Sequence, residues 1–220
     1  MDREAGCVNF SRFYEISRLN FEHMQSTESR EKILFSVKEC QEAIAALESQ
    51  DALRFIEKVS DLISACFEKG NKLLVAGNGG SFCDAMHFTE ELTGFFRKKR
   101  KPLPALCLGD VGHLSCVSND AGFEFVFSRL VESLGLTGDC LCVLSTSGNS
   151  DNLIRAVESA KEKGIVTIAF LGKTGGQLKG LCDVEWVVEG FATSDRIQEA
   201  HMASIHILIE MIEYNLNLSC

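Results

Sequence analysis

The sequence lacks several features that would point to particular classes of protein. It has no excess of positive charge, because 31 acidic residues outnumber 22 lysines and arginines and give a formal net charge of −9. This balance argues against a nucleic-acid-binding protein. No apolar stretch is long enough to span a membrane, and the N-terminus has no apolar signal core. A site for an anionic substrate must be built locally, because the overall field does not attract anions.

The ten cysteines do not have the spacing of a metal-binding or redox motif, since no C-x-x-C pair is present. Cys107, Cys140 and Cys142 lie inside apolar runs, where cysteine serves as a small hydrophobic residue. We therefore expect reduced thiols and a cytoplasmic protein.

Composition and length indicate a folded chain with a sizeable core. Hydrophobic residues make up 45% of the sequence and charged residues 24%, a composition that disfavours disorder. We predict an N-terminal extension over residues 1–28 and a single domain over residues 29–220. Apolar residues at helical spacing predict helices over residues 29–47 and 52–67, which we expect to form an N-terminal helical hairpin.

Five short apolar runs alternate with helical stretches in the rest of the chain. Strands that are buried on both faces have continuous apolar sequences, so this alternation predicts a five-stranded parallel sheet with helices on both faces. The predicted strands are Leu73–Gly77, Pro104–Gly109, Cys140–Ser145, Val166–Gly172 and Val184–Val188. A last helix, Ser194–Leu216, is apolar nearly all round, which indicates burial and an oligomer interface.

Two loops at predicted strand ends have the composition of phosphate sites. Gly77–Ser81 offers glycines and a helix N-terminus, although a tight turn capped by Ser81 explains it equally well. Ser145–Ser150 carries four hydroxyls where a helix cap needs one, which favours an anion site. A third segment contains Asn119 and Asp120, which could bind sugar hydroxyls but more simply form a turn. The basic run Arg97–Lys101 is interpreted as a solvated surface loop.

Four polar side chains on two predicted helices form the candidate catalytic set. His87 and Glu91 are four residues apart and share a helix face, and Gln198 and His206 differ by about 80° around the last helix. His201 points about 140° away from His206. The set suits general acid–base chemistry by Glu91 and His206, or a metal centre for which zinc is plausible; the spacing does not separate the two.

Four long segments carry a family resemblance. They are AGNGGSFCDAMHFTEELTG, HLSCVSNDAGFEFVFSR, LSTSGNSDNLIRAVESAKEKG and DRIQEAHMASIHILIEMIE. With them the chain resembles the bacterial phosphoheptose isomerases of the sugar isomerase (SIS) domain family, over roughly residues 29–214. The resemblance implies a flavodoxin-like sheet, a homotetramer with sites between subunits, and conversion of sedoheptulose 7-phosphate to D-glycero-D-manno-heptose 7-phosphate, which leads to ADP-heptose and lipopolysaccharide.

The resemblance also implies roles for individual residues. It makes Glu91 and His206 the catalytic pair and His87, Glu91, Gln198 and His206 the ligands of one zinc ion per subunit. The implied substrate contacts are Asn78, Gly79, Gly80, Ser81, Glu91, Asn119, Asp120, Ser145, Thr146, Ser147, Ser150 and Gln198.

One position and one five-residue segment depart from the family pattern. Phe82 stands where the family usually has His, and Glu189–Thr193 replaces a Pro-His-Phe-Gly-Tyr-like run. These departures leave open a sugar phosphate of another chain length. A further alternative is a non-catalytic SIS-domain protein that binds a protein partner or senses a sugar phosphate, which would not need the four helix-borne residues together.

Overall fold

A computed structural model describes residues 27–218, which contain seven α-helices and five β-strands. The chain divides into two compact units, one ending at Glu42 and the other beginning at Ala43. Helix α1 (Thr27–Ala45) supplies the described part of the first unit. The predicted extension over residues 1–28 lies almost entirely outside the described residues, and the predicted domain boundary stays a prediction.

The second unit alternates helices with strands. Its other helices are α2 (Gln50–Glu68), α3 (Gly80–Thr93), α4 (Val111–Asp120), α5 (Val126–Leu134), α6 (Asp151–Glu162) and α7 (Ser194–Asn215). Its strands are β1 (Leu73–Gly77), β2 (Ala105–Cys107), β3 (Cys140–Ser145), β4 (Val166–Gly172) and β5 (Val184–Val188). The predicted helices over residues 52–67 and Ser194–Leu216 are thus confirmed within two residues at each end.

All five strands are parallel and lie in the order β2-β1-β3-β4-β5, so the predicted fold class is confirmed. Four strands have the bounds predicted from their apolar runs. The second is shorter than the predicted Pro104–Gly109, because it pairs at the sheet edge over only three residues. The backbone then turns toward α4 at Gly109, whose φ is 128°.

The core has two layers, one on each face of the sheet. Alternate residues of β3 enter different layers: Cys140, Cys142 and Leu144 join the layer with α2, α3 and α7, whereas Leu141 and Val143 join the layer with α5 and α6. Each layer excludes water from one face of the strands, which is why the strands have continuous apolar sequences.

The strand order places the candidate site. Strands β1 and β3 are neighbours in the sheet and lie between β2 and β4. The chain passes from β1 to α3 on one face of the sheet and from β3 to α6 on the opposite face. Crevices in parallel sheets open at such a reversal, at the carboxyl ends of the strands. The two loops predicted to bind phosphate follow β1 and β3 and therefore border this crevice.

Two further predictions can be compared with the structure. Seven cysteines within the described residues have free thiols: Cys66, Cys83, Cys107, Cys116, Cys140, Cys142 and Cys182. None of the helices between residues 27 and 218 has the length and apolar character needed to cross a membrane.

Candidate active site

The loop after β1 is shaped by close backbone approach. A Cβ on Gly77 would stand 2.4 Å from the Ser81 carbonyl oxygen, so the turn into α3 has no room for a side chain there. Gly79 has φ 57° and is the N-cap of α3, while Ser81 is buried inside the first turn. The alternative in which Ser81 caps the helix is therefore wrong, because the helix begins at Gly80 and its cap is Gly79, two residues before Ser81.

The loop after β3 is held by the segment that follows β4. Gly148 has φ 66°, and a Cβ on it would stand only 1.8 Å from the Gly175 carbonyl oxygen. The Leu178 amide donates to the Gly148 carbonyl at 3.0 Å, and the buried Ser145 hydroxyl accepts from the Gly148 amide at 3.0 Å. These contacts fix the curve of the hydroxyl-rich loop before any ligand binds.

A reciprocal amide pair joins the two loops. Asn78 donates to Asn152 at 2.9 Å, and Asn152 donates back at 3.0 Å. Asn152 lies in the first turn of α6 and is buried. Sequence reasoning missed Asn152, because a polar residue in a first helical turn is ordinary until its partner on another strand end is known. A cavity of about 440 Å³ opens beside the pair and is lined by Asn78, Phe123, Glu124, Ser150, Asp151 and Asn152.

The helices bring three of the predicted catalytic residues together. One ligand atom from each of His87, Glu91 and His206 lies within 4.8 Å of the others. His87 Nε2 is 3.2 Å from Glu91 Oε1, and the ring centroids of His87 and His206 are 5.2 Å apart. Phe96 stacks against the His206 ring with centroids 5.9 Å apart. The other carboxylate oxygen of Glu91, Oε2, is buried without a hydrogen-bond partner.

This donor set fits a zinc ion. Two imidazole nitrogens and a carboxylate are a common set of three protein ligands, with a further position left for water or substrate. The unpartnered Glu91 Oε2 supports this fit, because a buried carboxylate oxygen is costly to leave without a partner and a cation would supply one.

Gln198, the fourth predicted ligand, contacts the other end of α3. Its amide donates to the Ser81 hydroxyl at 3.3 Å and lies 2.6 Å from where a Cβ on Gly80 would stand. Ser81 and His87 are about 9 Å apart along the helix axis. Gln198 therefore touches predicted substrate residues, and its role as a metal ligand stays a prediction.

Asn119 and Asp120 differ from the predicted turn. They end helix α4, which begins after Asp110 caps it through a bond from the His113 amide. Both side chains are exposed, and Asn119 donates to Asp120 at 2.7 Å. The interpretation as an Asn-Asp turn at a strand end is wrong, because the preceding stretch is helical; the sugar-binding role stays a prediction.

Comparison with known proteins identifies the family. A model of the SIS domain matches residues 36–172. The chain is 53% identical to the phosphoheptose isomerase of Fusobacterium nucleatum over 167 residues, which cover 76% of this chain and 86% of that protein. The chain belongs to the phosphoheptose isomerase family.

Further relatives agree with this assignment. Phosphoheptose isomerase from Haemophilus ducreyi is 49% identical over 84% of this chain and 96% of its own length. A solved phosphoheptose isomerase structure from Francisella tularensis superposes with a TM-score of 0.80 at 35% identity, covering 84% of this chain and 98% of that one. The resemblance inferred from the four segments is confirmed.

One acidic residue beside the histidines of this phosphoheptose isomerase family member escaped sequence analysis. Asp84 lies one turn before His87, and its Oδ2 atom is buried without a hydrogen-bond partner. Burial raises its pKa to about 6, although the nearby His87 opposes that rise. No motif signals Asp84, because its burial depends on what packs against α3.

The basic run contains one residue that contradicts its predicted role. Arg100 has a side chain only 2% exposed, donates to the Glu91 and Leu92 carbonyls at 2.7 and 2.8 Å, and forms an ion pair with Glu213 at 2.6 Å. The prediction of a solvated loop is wrong for Arg100, because these partners come from the end of α3 and from α7. Lys98, Lys99 and Lys101 are exposed as predicted.

Two other residues complete the comparison with the sequence. His201 is buried against Phe170 and Trp186 and contacts the Leu171 carbonyl at 3.0 Å, so its predicted separation from His206 is confirmed. Phe82, which departs from the family pattern, packs against the apolar layer beneath Gly109.

Proposed function

We propose that this protein is an aldose–ketose isomerase that converts sedoheptulose 7-phosphate to D-glycero-D-manno-heptose 7-phosphate, the first step toward ADP-heptose and lipopolysaccharide core. The observation that carries the proposal is the convergence of Glu91 with two histidines in a chain whose relatives are phosphoheptose isomerases. A sugar-phosphate binder without catalysis has no need for that convergence.

Substrate phosphate binds at the loop Ser145–Ser150 in this proposal. Its hydroxyls and the first amides of α6 are donors at a helix N-terminus, where anions are favoured. Holding a remote phosphate orients the reacting carbons, which lowers the entropic part of the barrier. Asn78, Gly79, Gly80, Ser81, Asn119, Asp120 and Gln198 are the further proposed contacts.

Isomerisation moves one proton between adjacent carbons. The Glu91 carboxylate removes a proton from C1 of the ketose, which gives an enediol, and returns it to C2 to form the aldose. His206 exchanges a proton with the neighbouring oxygens. The unpartnered Oε2 of Glu91 is the atom available for the carbon-bound proton.

A zinc ion is the proposed cofactor. His87, Glu91 and His206 would hold it, and Gln198 would join them by turning away from Ser81. When bound, zinc polarises substrate oxygens and stabilises enediolate charge.

We further propose a homotetramer with sites between subunits. Support comes from exposed apolar side chains next to the candidate site. Met86 precedes His87, Ile207 follows His206, and Phe95 lies four residues after Glu91; all are at least 39% exposed. Large apolar side chains grouped on a surface favour coverage by another chain.

The test is to measure turnover of ketose phosphates with five, six and seven carbons. Turnover is measured as the rate at which the aldose phosphate forms. We expect the seven-carbon substrate to have the highest kcat/KM. After chelation and verified metal removal, we expect activity to fall and to return when zinc is added. Absence of turnover on a seven-carbon phosphate would refute the proposed reaction, and an unchanged rate in the zinc-free protein would refute a catalytic role for zinc.

A further inference from the structure

We propose that the buried ion pair of Arg100 and Glu213 is a positioning device that sets the separation between Glu91 and His206. This inference rests on the proposed function, since it assigns both residues to the reaction. Neither Arg100 nor Glu213 contacts the reacting groups through its side chain; each acts through the helix it holds.

On one side, Arg100 contacts the end of α3. Its Nη2 donates to the Glu91 carbonyl at 2.7 Å, and its Nη1 donates to the Leu92 carbonyl at 2.8 Å and the Gly94 carbonyl at 3.3 Å. Carbonyls in the last turn of a helix have no partner within the helix, and a cation there is also favoured by the helix dipole. Arg100 therefore holds the backbone of Glu91 itself.

On the other side, Arg100 contacts α7. Its Nε donates to Glu213 Oε1 at 2.6 Å. Glu213 follows His206 by seven residues, two helical turns, so the two side chains differ by only about 20° around the helix. The guanidinium thus connects the Glu91 backbone to the face of α7 that carries His206.

The burial of the pair makes the connection rigid. The side chains are 2% and 9% exposed, and removing one partner would leave the other charge buried and uncompensated. The planar fork of Arg reaches a carboxylate and several carbonyls at once, which the single ammonium of Lys cannot do.

The chain also supplies a matched control. Arg97 and Glu210 form an ion pair between the same two segments, but their side chains are 65% and 39% exposed. Glu210 precedes Glu213 by three residues on α7. A surface pair of this kind contributes little, so it separates the effect of burial from the effect of charge.

The first measurement compares Glu213→Gln with Glu210→Gln in the full-length protein. We expect Glu213→Gln and Arg100→Lys to lower kcat by about 10- to 100-fold while KM changes less than about threefold, because orientation fails and phosphate binding does not. Glu210→Gln should stay within about twofold of the unchanged protein.

The second measurement is zinc affinity of the metal-free proteins by competition with a chromogenic chelator. Because three donors must converge, we expect the dissociation constant of Glu213→Gln to rise about 10-fold or more and that of Glu210→Gln to stay unchanged. This readout does not depend on turnover, so the inference can fail or succeed separately from the proposed reaction.

A double variant, Arg100→Met with Glu213→Leu, distinguishes positioning from stability. Removing both charges should restore most of the melting temperature lost in Glu213→Gln but not kcat. Recovery of kcat together with the melting temperature would overturn the inference, as would equal kcat and zinc affinity in Glu213→Gln and Glu210→Gln. Absence of heptose phosphate turnover in the unchanged protein would refute the proposed reaction instead.

Discussion

At the scale of single residues, the two carboxylate oxygens of Glu91 have different surroundings. Oε1 lies 3.2 Å from His87 Nε2, whereas Oε2 is buried without a partner. A buried oxygen left unpaired costs about 1–3 kcal/mol or more when charged. The fold bears this cost at a position where substrate or metal can supply the missing contact.

We expect Glu91→Gln to lower kcat by at least about 100-fold and to leave phosphate binding largely intact, because an amide cannot accept the carbon-bound proton. Turnover of the heptose phosphate and calorimetric binding of the same compound measure the two effects. Glu68→Gln is the control, since Glu68 is an exposed carboxylate at the end of α2, outside the candidate cluster. Near-normal turnover in Glu91→Gln would refute its assignment as the base.

At the scale of elements, the hydroxyl-rich loop depends on the segment after β4. Gly148 and Gly175 approach so closely that a Cβ on Gly148 would overlap the Gly175 carbonyl. The Asn149 side-chain oxygen also accepts a hydrogen bond from the backbone amide of Gln177 at 3.1 Å. The phosphate loop is therefore shaped jointly by the chain following β3 and by that following β4.

Gly148→Ala should destabilise the fold by about 1–3 kcal/mol and weaken inorganic phosphate binding, because the loop must move away from Gly175. Gly180→Ala is the matched control: Gly180 also has positive φ, 79°, but a Cβ there would meet nothing within 4 Å. Urea unfolding and phosphate titration measure both variants. Equal destabilisation of the two would show that positive φ alone, and not the close approach, requires glycine at 148.

At the scale of the whole molecule, His201 links acid stability to the packing of α7 on the sheet. It is fully buried, and burial lowers its pKa to about 4, although the contact with the Leu171 carbonyl opposes that shift. In the unfolded chain the same histidine takes up a proton near its ordinary pKa of about 6.5. Folding therefore keeps His201 neutral in a range where the unfolded chain protonates it.

We expect this histidine to remove about 3 kcal/mol from the free energy of unfolding as the pH falls from 7 to 4. The contribution is present above pH 6.5 and is lost as the pH falls toward the folded pKa. Asp84 acts in the opposite direction, because its raised pKa, about 6, makes the folded state bind a proton first. Urea unfolding of the unchanged protein and of His201→Gln at several pH values measures the contribution of the histidine. If the free energy of unfolding depended on pH in the same way in both proteins, the contribution assigned to His201 would be refuted.

Much of the fold follows from the sequence because it depends on local pattern. Continuous apolar runs predicted four strands with their observed bounds. Helical spacing predicted the first and last residues of α2 and α7 to within two residues. The family is also a sequence property, since the motifs around His87, Ser147 and His206 are long and local. The spacing of His87 and Glu91 predicted their shared face, because a helix repeats every 3.6 residues.

Tertiary structure alone decided which polar residues are buried and which are paired. Arg100 belongs to a basic run whose composition predicts a solvated loop, yet its side chain is buried between the end of α3 and Glu213. Glu213 is 113 residues from Arg100 in the sequence. Asn152 meets Asn78 across 74 residues, and packing around α3 buries the Oδ2 atom of Asp84. Local pattern determines which segments become helices and strands, because helix and strand periodicity act over a few residues. The environment of a charge depends on distant segments, which only the folded chain brings together.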